Sequence, residues 1–282
     1  MLEVNPITNG FVADIIGVDV RSLTDVEFEQ IYSAWLEFGV LRLRGQALNE
    51  DELQRFSERF GPLEEAPFGK MSETAKAKIK NRYVTQLSNI IVDGKPIGGL
   101  GNSEASWHSD MTYVETPPPA SVLLSVEIPE QGGDTYFADQ CAAYDAVPNE
   151  LKSQIHSLTI KHDAAHTSIG NLRHGYEPFE DPRDAPGAIH PIVIEHEETG
   201  RKALYLGRRE WAYVSGLELD ESEALLDELW QYAAQGEYVW TQDWRVSDII
   251  IWDNRRVLHR RDDFDQDSRR LMKRCQVLAR TA

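Results

Sequence analysis

The chain has 282 residues, with 47 Asp and Glu against 29 Lys and Arg, for a formal net charge of -18. So acidic a surface excludes two partner classes, since nucleic acid and anionic membranes are both met by basic residues. Neither is expected as a partner. Hydrophobic residues make up 41% of the chain, including seven Trp and ten Tyr, which is enough to bury a core rather than remain disordered. The start of the chain has neither a basic nor an apolar leader region, and no apolar run is long enough to span a bilayer. Two cysteines, Cys141 and Cys275, do not form a disulfide framework. These features lead us to expect a soluble cytoplasmic protein.

In chain order, residues 10–20 are β-branched and alternating. Thr24-Asp25-Val26-Glu27 reads as a capping box opening a helix, with Phe28, Ile31, Tyr32, Trp35 and Leu36 at helical spacing and Gly39 closing it. Residues 40–43 read as a strand, and residues 49–60 as a second amphipathic helix stopped by Gly61-Pro62. After Asp110 the pattern turns mostly β. Residues 120–127, 133–137, 159–162, 192–195, 203–206, 249–252 and 271–278 are strand-like runs between turn residues. One helix starts near Asn149, and another is expected with Asp220 as its cap and Glu223 at the capping-box position. Many short strands without a β-α-β rhythm favour a sandwich, barrel or jelly roll, and hence a mainly β chain with added helices (α+β). Residues 163–190 are long, weakly periodic and rich in Gly, Pro, His and Asp, a candidate lid loop.

The chemistry centres on a few of the eight histidines. His156 and His196 read as surface or hydrogen-bonded structural residues. His162 and His166 have the spacing of half a zinc-protease motif, but Asp163 stands where that motif needs Glu, and residues 159–162 look extended rather than helical. Trp107-His108-Ser109-Asp110 is different. On an extended segment His108 and Asp110 project to one face and can offer a nitrogen and a carboxylate oxygen to one metal. A third ligand must come from far away. His259, beyond the apolar run at 249–252 and the turn Asp253-Asn254-Arg255, would complete a two-His, one-carboxylate facial triad of the kind that serves non-haem Fe(II) oxygenases. If residues 270–274 are a strand, Arg270, Met272 and Arg274 share a face. Two inward guanidiniums are costly unless anions neutralise them. The other reading is a solvated basic strand paired to Asp262, Asp263, Asp265 and Asp267.

Taken together, Trp107-His108-x-Asp110, Gly132-Gly133-Asp134-Thr135, Trp252-Asp253-Asn254-Arg255 with His259, and Arg270 with Arg274 resemble the TauD/TfdA (taurine dioxygenase) family of Fe(II)- and 2-oxoglutarate-dependent oxygenases in order and spacing. The resemblance extends to the N-terminal helices, to His190-Pro191, and to the run from Glu198 to Tyr205. It implies one dioxygenase domain over residues 1–282 built on a double-stranded β-helix, or jelly roll. His108, Asp110 and His259 would be the iron ligands. Thr135 and Arg270 would hold 2-oxoglutarate, and Arg274 would meet the anionic group of the primary substrate. The implied reaction hydroxylates a small organic anion, a carboxylate or sulfonate, with O2 as oxidant and succinate and CO2 as products. A carboxylate at Asp110 argues against halogenation, while desaturation or oxidative cleavage stays open. A homo-oligomer, dimer or tetramer, is the family expectation.

Three departures stand out. Gly207, followed by Arg208-Arg209, replaces an Asn found in many members. Glu104 stands near where the taurine-using enzyme has an Asn, and residues 64–103 hold no clear counterpart of its substrate His and Tyr. From 163–187, His166, Arg173, His174 and Tyr176 are candidate substrate contacts. The competing readings are a zinc-dependent barrel hydrolase or isomerase and a non-catalytic barrel. The first gives Thr135 and Arg270 no task, and the second would usually have lost a ligand.

Overall fold

The computed structural model describes residues 1–8, 10–66, 81–103 and 105–280. Among these, two sheets lie face to face. The larger has the spatial order Glu3–Thr8, Val12–Ile16, Val40–Leu43, Ile249–Asp253, Ala120–Glu127, Leu271–Val277, Thr85–Ser88, Gly99–Leu100. The smaller has the order Val239–Gln242, Thr135–Asp139, Val257–Arg261, Ala105–His108. Spatial neighbours come from distant sequence, as when Ile251 sits opposite both Leu41 and Val122. This is a jelly roll with added helices, the expected class.

Strand alternation decides what each face buries. Ile249 and Ile251 turn outward, joining Val122, Leu124, Cys275 and Val277 under the helices Asp25–Phe38 and Glu50–Glu58. Ile250, Trp252, Leu123 and Met272 turn inward against Phe137, Trp240 and Val257 of the small sheet. A third cluster packs Ala138 and Leu258, on the outer face of the small sheet, against Leu151, Ile155, Leu225, Leu226 and Leu229. We expect Ile251→Ala to cost about 2–5 kcal/mol, since the cavity it leaves is closed on both sides by paired strands. Urea denaturation would read this as a lower midpoint with an unchanged slope.

The capping box at Thr24 forms as expected. The Thr24 amide donates to Glu27 Oε2 at 2.9 Å, and the Glu27 amide donates to Thr24 Oγ1 at 3.3 Å. The late helix differs from its sequence reading. It spans Leu219–Ala233 with Glu218 as cap, and the Glu218 amide donates to Glu221 Oε2 at 3.3 Å. Glu223 is unavailable for capping because it pairs with Arg209 at 2.7 Å. Four strands that matter for the site escaped the sequence reading, Thr85–Ser88, Gly99–Leu100, Ala105–His108 and Val257–Arg261. The short helix Gln140–Ala146, capped by Asp139, escaped it too.

Residues 163–190 contain little regular structure beyond a 3-10 turn at Pro182–Asp184 and the start of Ile189–Pro191, but their first part is anchored. Asp163, Ala164 and Ala165 are buried, and His166 stacks on Trp211 with ring centroids 5.0 Å apart. Among the described residues no helix is long and apolar enough to cross a membrane.

Candidate active site

The strands Ala105–His108 and Val257–Arg261 pair so that His108 and His259 are direct cross-strand partners. Inward alternation puts His259 on the same face as Val257, inside the sandwich. Immediately after its strand the chain brings Asp110 beneath both rings. Met111, next in sequence, has a left-handed φ of 54°, a conformation a side chain rarely adopts, so the turn is held there by its surroundings. His108 Nε2 lies 3.8 Å and His259 Nε2 3.9 Å from Asp110 Oδ1. One ligand atom from each of the three lies within 4.8 Å of the others.

The surroundings prepare each group for a cation. His108 Nδ1 lies 2.7 Å from the Ser106 carbonyl, so it carries the proton and leaves the Nε2 lone pair facing Asp110. Burial lowers the His108 pKa, and burial together with His108 pushes His259 down to about 3, so both rings are neutral near pH 7. Burial by itself would raise the pKa of Asp110. The Arg274 guanidinium, the two imidazoles and the Ser121 hydroxyl outweigh it and hold the carboxyl well below its usual range. Arg274 Nη1 donates to both Asp110 oxygens at 3.1 Å. The other side of Asp110 is fixed by a chain of hydrogen bonds. Trp252 Nε1 donates to Asn254 Oδ1 at 2.7 Å, Asn254 Nδ2 to Ser121 Oγ at 3.1 Å, and Ser121 Oγ to Asp110 Oδ2 at 2.9 Å. Two neutral imidazoles and an ionised carboxylate converging this closely fit a divalent cation.

A second constellation sits on the same inner surface. Thr135 is buried, pairs in register with Arg261, and its hydroxyl accepts from Trp244 Nε1 at 3.0 Å. Arg270 is 3% exposed, its Nε has no partner, and no carboxylate pairs with it among the described residues. Burial, with Arg261 nearby, lowers its pKa to about 9. Gly133 supplies the left-handed turn that precedes Thr135. At φ 70°, a β-carbon there would stand 3.3 Å from Phe264 and 3.5 Å from the Arg270 side chain. The solvated-strand reading therefore fails for Arg270 and Arg274, which both turn inward. Asp262, one of the carboxylates that reading assigned to them, pairs instead with Arg260 at 2.6 Å. Arg269 also pairs outward, with Glu127 at 2.7 Å.

His108 and Asp110 border a cavity of about 410 Å³, a size that suits a small molecule. Its apolar wall includes Leu87, Leu100, Met111 and Tyr113, and its polar wall includes Glu64, His162, Arg173, Arg208 and Arg274. Of the four candidate contacts from the loop, only Arg173 reaches this cavity. His166 is held by Asp163 at 2.9 Å, and His174 and Tyr176 are exposed. Glu104 lies outside the described residues, as do residues 67–80 of the 64–103 stretch. Gly207 has a packing consequence, because a β-carbon there would fall 1.9 Å from His162 Nδ1. The glycine thus makes room for the imidazole. A larger hollow of about 750 Å³ lies beside Tyr32, Trp35 and Phe60, but it contains none of the three donors. Its Arg255 is already paired with Asp253 at 2.8 Å and Glu198 at 3.0 Å. His196, hydrogen-bonded to Asp253 at 2.8 Å and buried, is structural as expected.

Sequence reasoning missed Ser121, Arg261 and Trp244, and it noted Arg208 only as a departure from the family pattern. Only Arg261 carried a usable signal, as it stands two residues after His259 and so on the same strand face.

The family model of the taurine catabolism dioxygenase TauD, TfdA family matches residues 3–276. The chain belongs to the TauD/TfdA family. It is 35% identical to the alpha-ketoglutarate-dependent 2,4-dichlorophenoxyacetate dioxygenase of Cupriavidus pinatubonensis, over 97% of this chain and 96% of that one. It is 32% identical to the (S)-phenoxypropionate/alpha-ketoglutarate-dioxygenase of Sphingobium herbicidovorans, over 96% of this chain and 92% of the other. Among solved structures, AAD-2 in complex with Mn(II) and N-oxalylglycine superposes with a TM-score of 0.81 at 28% identity, covering 100% of this chain and 98% of its own. TauD/TfdA membership accounts for the jelly roll.

Proposed function

We propose that this chain is an Fe(II)- and 2-oxoglutarate-dependent dioxygenase that hydroxylates a small organic anion, releasing succinate and CO2. The observation that carries the reading is the combination of the His108–Asp110–His259 cluster with a buried, carboxylate-free Arg270 on the same inner surface. A zinc hydrolase would have no use for that arginine, whereas a 2-oxo dicarboxylate supplies the anion it lacks. The relatives named for 2,4-dichlorophenoxyacetate and (S)-phenoxypropionate make a carboxylate with an apolar body the leading substrate class.

His108, Asp110 and His259 would hold the iron. When bound, Fe(II) together with O2 and the 2-oxo acid supplies the oxidising chemistry for attack on a C–H bond. The chain supplies the rest. The Ser106 carbonyl keeps the His108 proton on Nδ1, so that Nε2 remains a ligand. Arg274 and Ser121 keep Asp110 ionised and oriented. Arg270 would fork onto the distal carboxylate of 2-oxoglutarate, a contact that suits a planar guanidinium, with the Thr135 hydroxyl beside it. Arg274, which lines the cavity, would stand near the anionic group of the substrate. Leu87, Leu100 and Met111 line the cavity and would offer an apolar surface to the body of the substrate. Residues 163–190 would serve as a lid over a single catalytic domain.

The test is O2 uptake and succinate formation with Fe(II) and 2-oxoglutarate across aryloxyalkanoates, sulfonates, amino acids and other carboxylates. We expect a carboxylate or sulfonate with an apolar body to stimulate succinate formation. A complete lack of 2-oxoglutarate consumption would end the reading. Two buried free cysteines suit a reducing compartment, so we place the enzyme in the cytoplasm. A homo-oligomer, from the family resemblance, is to be checked by light scattering.

A further inference from the structure

Three arginines border the cavity at the metal donors, and their charges are not equally engaged. Arg274 lies against Asp110 at 3.1 Å. Arg208 is bound by Asp163 at 2.5 Å and also donates to the carbonyls of His166 and Thr167 at 3.1 and 2.8 Å. Arg173 has no carboxylate partner among the described residues. Its Nε donates to the His166 carbonyl at 3.2 Å, and its guanidinium carbon stands 4.2 Å over the Tyr113 ring. These contacts fix the orientation of the guanidinium without offsetting its charge. The carboxylates on the cavity wall do not change this count, since Asp110 and Asp163 face the other two arginines and Glu64 interacts with Arg274. Arg173 is therefore the uncompensated positive charge of a cavity that also has an apolar wall of Leu87, Leu100, Met111 and Tyr113. A ligand that matches has an apolar body and one anionic group.

We propose that Arg173 is a second anion-binding residue for the primary substrate and the one that selects charged over neutral ligands. The proposal rests on the reading above, which makes this cavity the substrate site. It also gives residues 163–190 a direct part in binding. Arg173 lies ten residues beyond Asp163, whose carboxylate ties the start of that segment to Arg208 and His166, so an anion on Arg173 bridges the segment and the metal side of the cavity.

The experiment compares the full chain with Arg173→Met and Arg173→Lys, loaded with Mn(II) and N-oxalylglycine and also metal-free. Calorimetry measures binding of phenoxyacetate, 2-phenoxypropionate, hexanesulfonate and hexyl sulfate, and of the neutral phenoxyacetamide. The parent should prefer the anions. Arg173→Met should weaken the best anion about tenfold to a hundredfold, as expected for losing one partner of a charged contact. It should leave phenoxyacetamide unchanged, and Arg173→Lys should restore most of the preference. Binding of Mn(II) and thermal melting should match the parent in both variants. If Arg173→Met keeps the parent's preference for anions, or if none of the four anions binds the parent, the proposal is overturned. Failure of the parent to bind Mn(II) would instead strike the proposed function, while the metal-free comparison would still read Arg173.

Discussion

Replacing His259 by Ala should abolish 2-oxoglutarate-dependent turnover, by at least about a thousandfold or some 4 kcal/mol of barrier. The reason is geometric. His259 and His108 are cross-strand partners whose Nε2 atoms converge on one oxygen of Asp110, and no other His, Cys or carboxylate joins that cluster among the described residues. Loss of one imidazole leaves two donors, too few to hold a catalytic cation. The inner packing should survive, because Phe137, Trp252 and Val257 remain in place around the ring. The check is paired. Bound iron and succinate formation should both collapse, while the circular dichroism spectrum and melting curve stay close to the parent. Full activity in this variant would remove the metal assignment. Supplying imidazole in solution should recover part of the iron binding.

The second large effect concerns Arg270. We expect Arg270→Met to raise the 2-oxoglutarate concentration needed for half-maximal rate about thirtyfold to a thousandfold, equivalent to about 2–4 kcal/mol. The side chain is almost fully buried without a carboxylate, so its charge is unmet until an anion enters. The apparent affinity for the primary substrate should move far less. Arg270→Lys should fall between the two, because a point charge replaces a planar fork but not its two parallel hydrogen bonds. Steady-state kinetics with 2-oxoglutarate as the varied ligand separates these outcomes. A variant that mainly loses the primary substrate would mean that Arg270 and Arg274 have exchanged roles.

Much of this was legible in the sequence where a local rule and the final environment agree. The capping box at Thr24, the run Ile249-Ile250-Ile251-Trp252 and the strand ending in Val277 follow from propensity and alternation, and the structure keeps them. The ligand trio could be read because His108 and Asp110 have i, i+2 spacing and His259 completes a familiar order. Val257–Arg261 resisted reading for a physical reason. A strand of two apolar and three basic residues looks like surface, and it is inward only because the barrel interior holds polar chemistry there. The cap of the last helix was misplaced because Glu223, the apparent capping partner, is drawn away by Arg209, a contact that sequence spacing does not reveal. The chain from Trp252 through Asn254 and Ser121 to Asp110 joins residues more than a hundred positions apart, and no local pattern announces it.

The central claim is that one chain holds Fe(II) and 2-oxoglutarate together, and it can be read without knowing the primary substrate. Fe(II) and 2-oxoglutarate are added to the protein under strict exclusion of O2, and the visible spectrum is recorded against protein with Fe(II) alone. Chelation of the metal by the 2-oxo acid should give a weak visible charge-transfer band that saturates with 2-oxoglutarate and disappears in His259→Ala. A visible spectrum that stays featureless while iron is demonstrably bound would contradict the account.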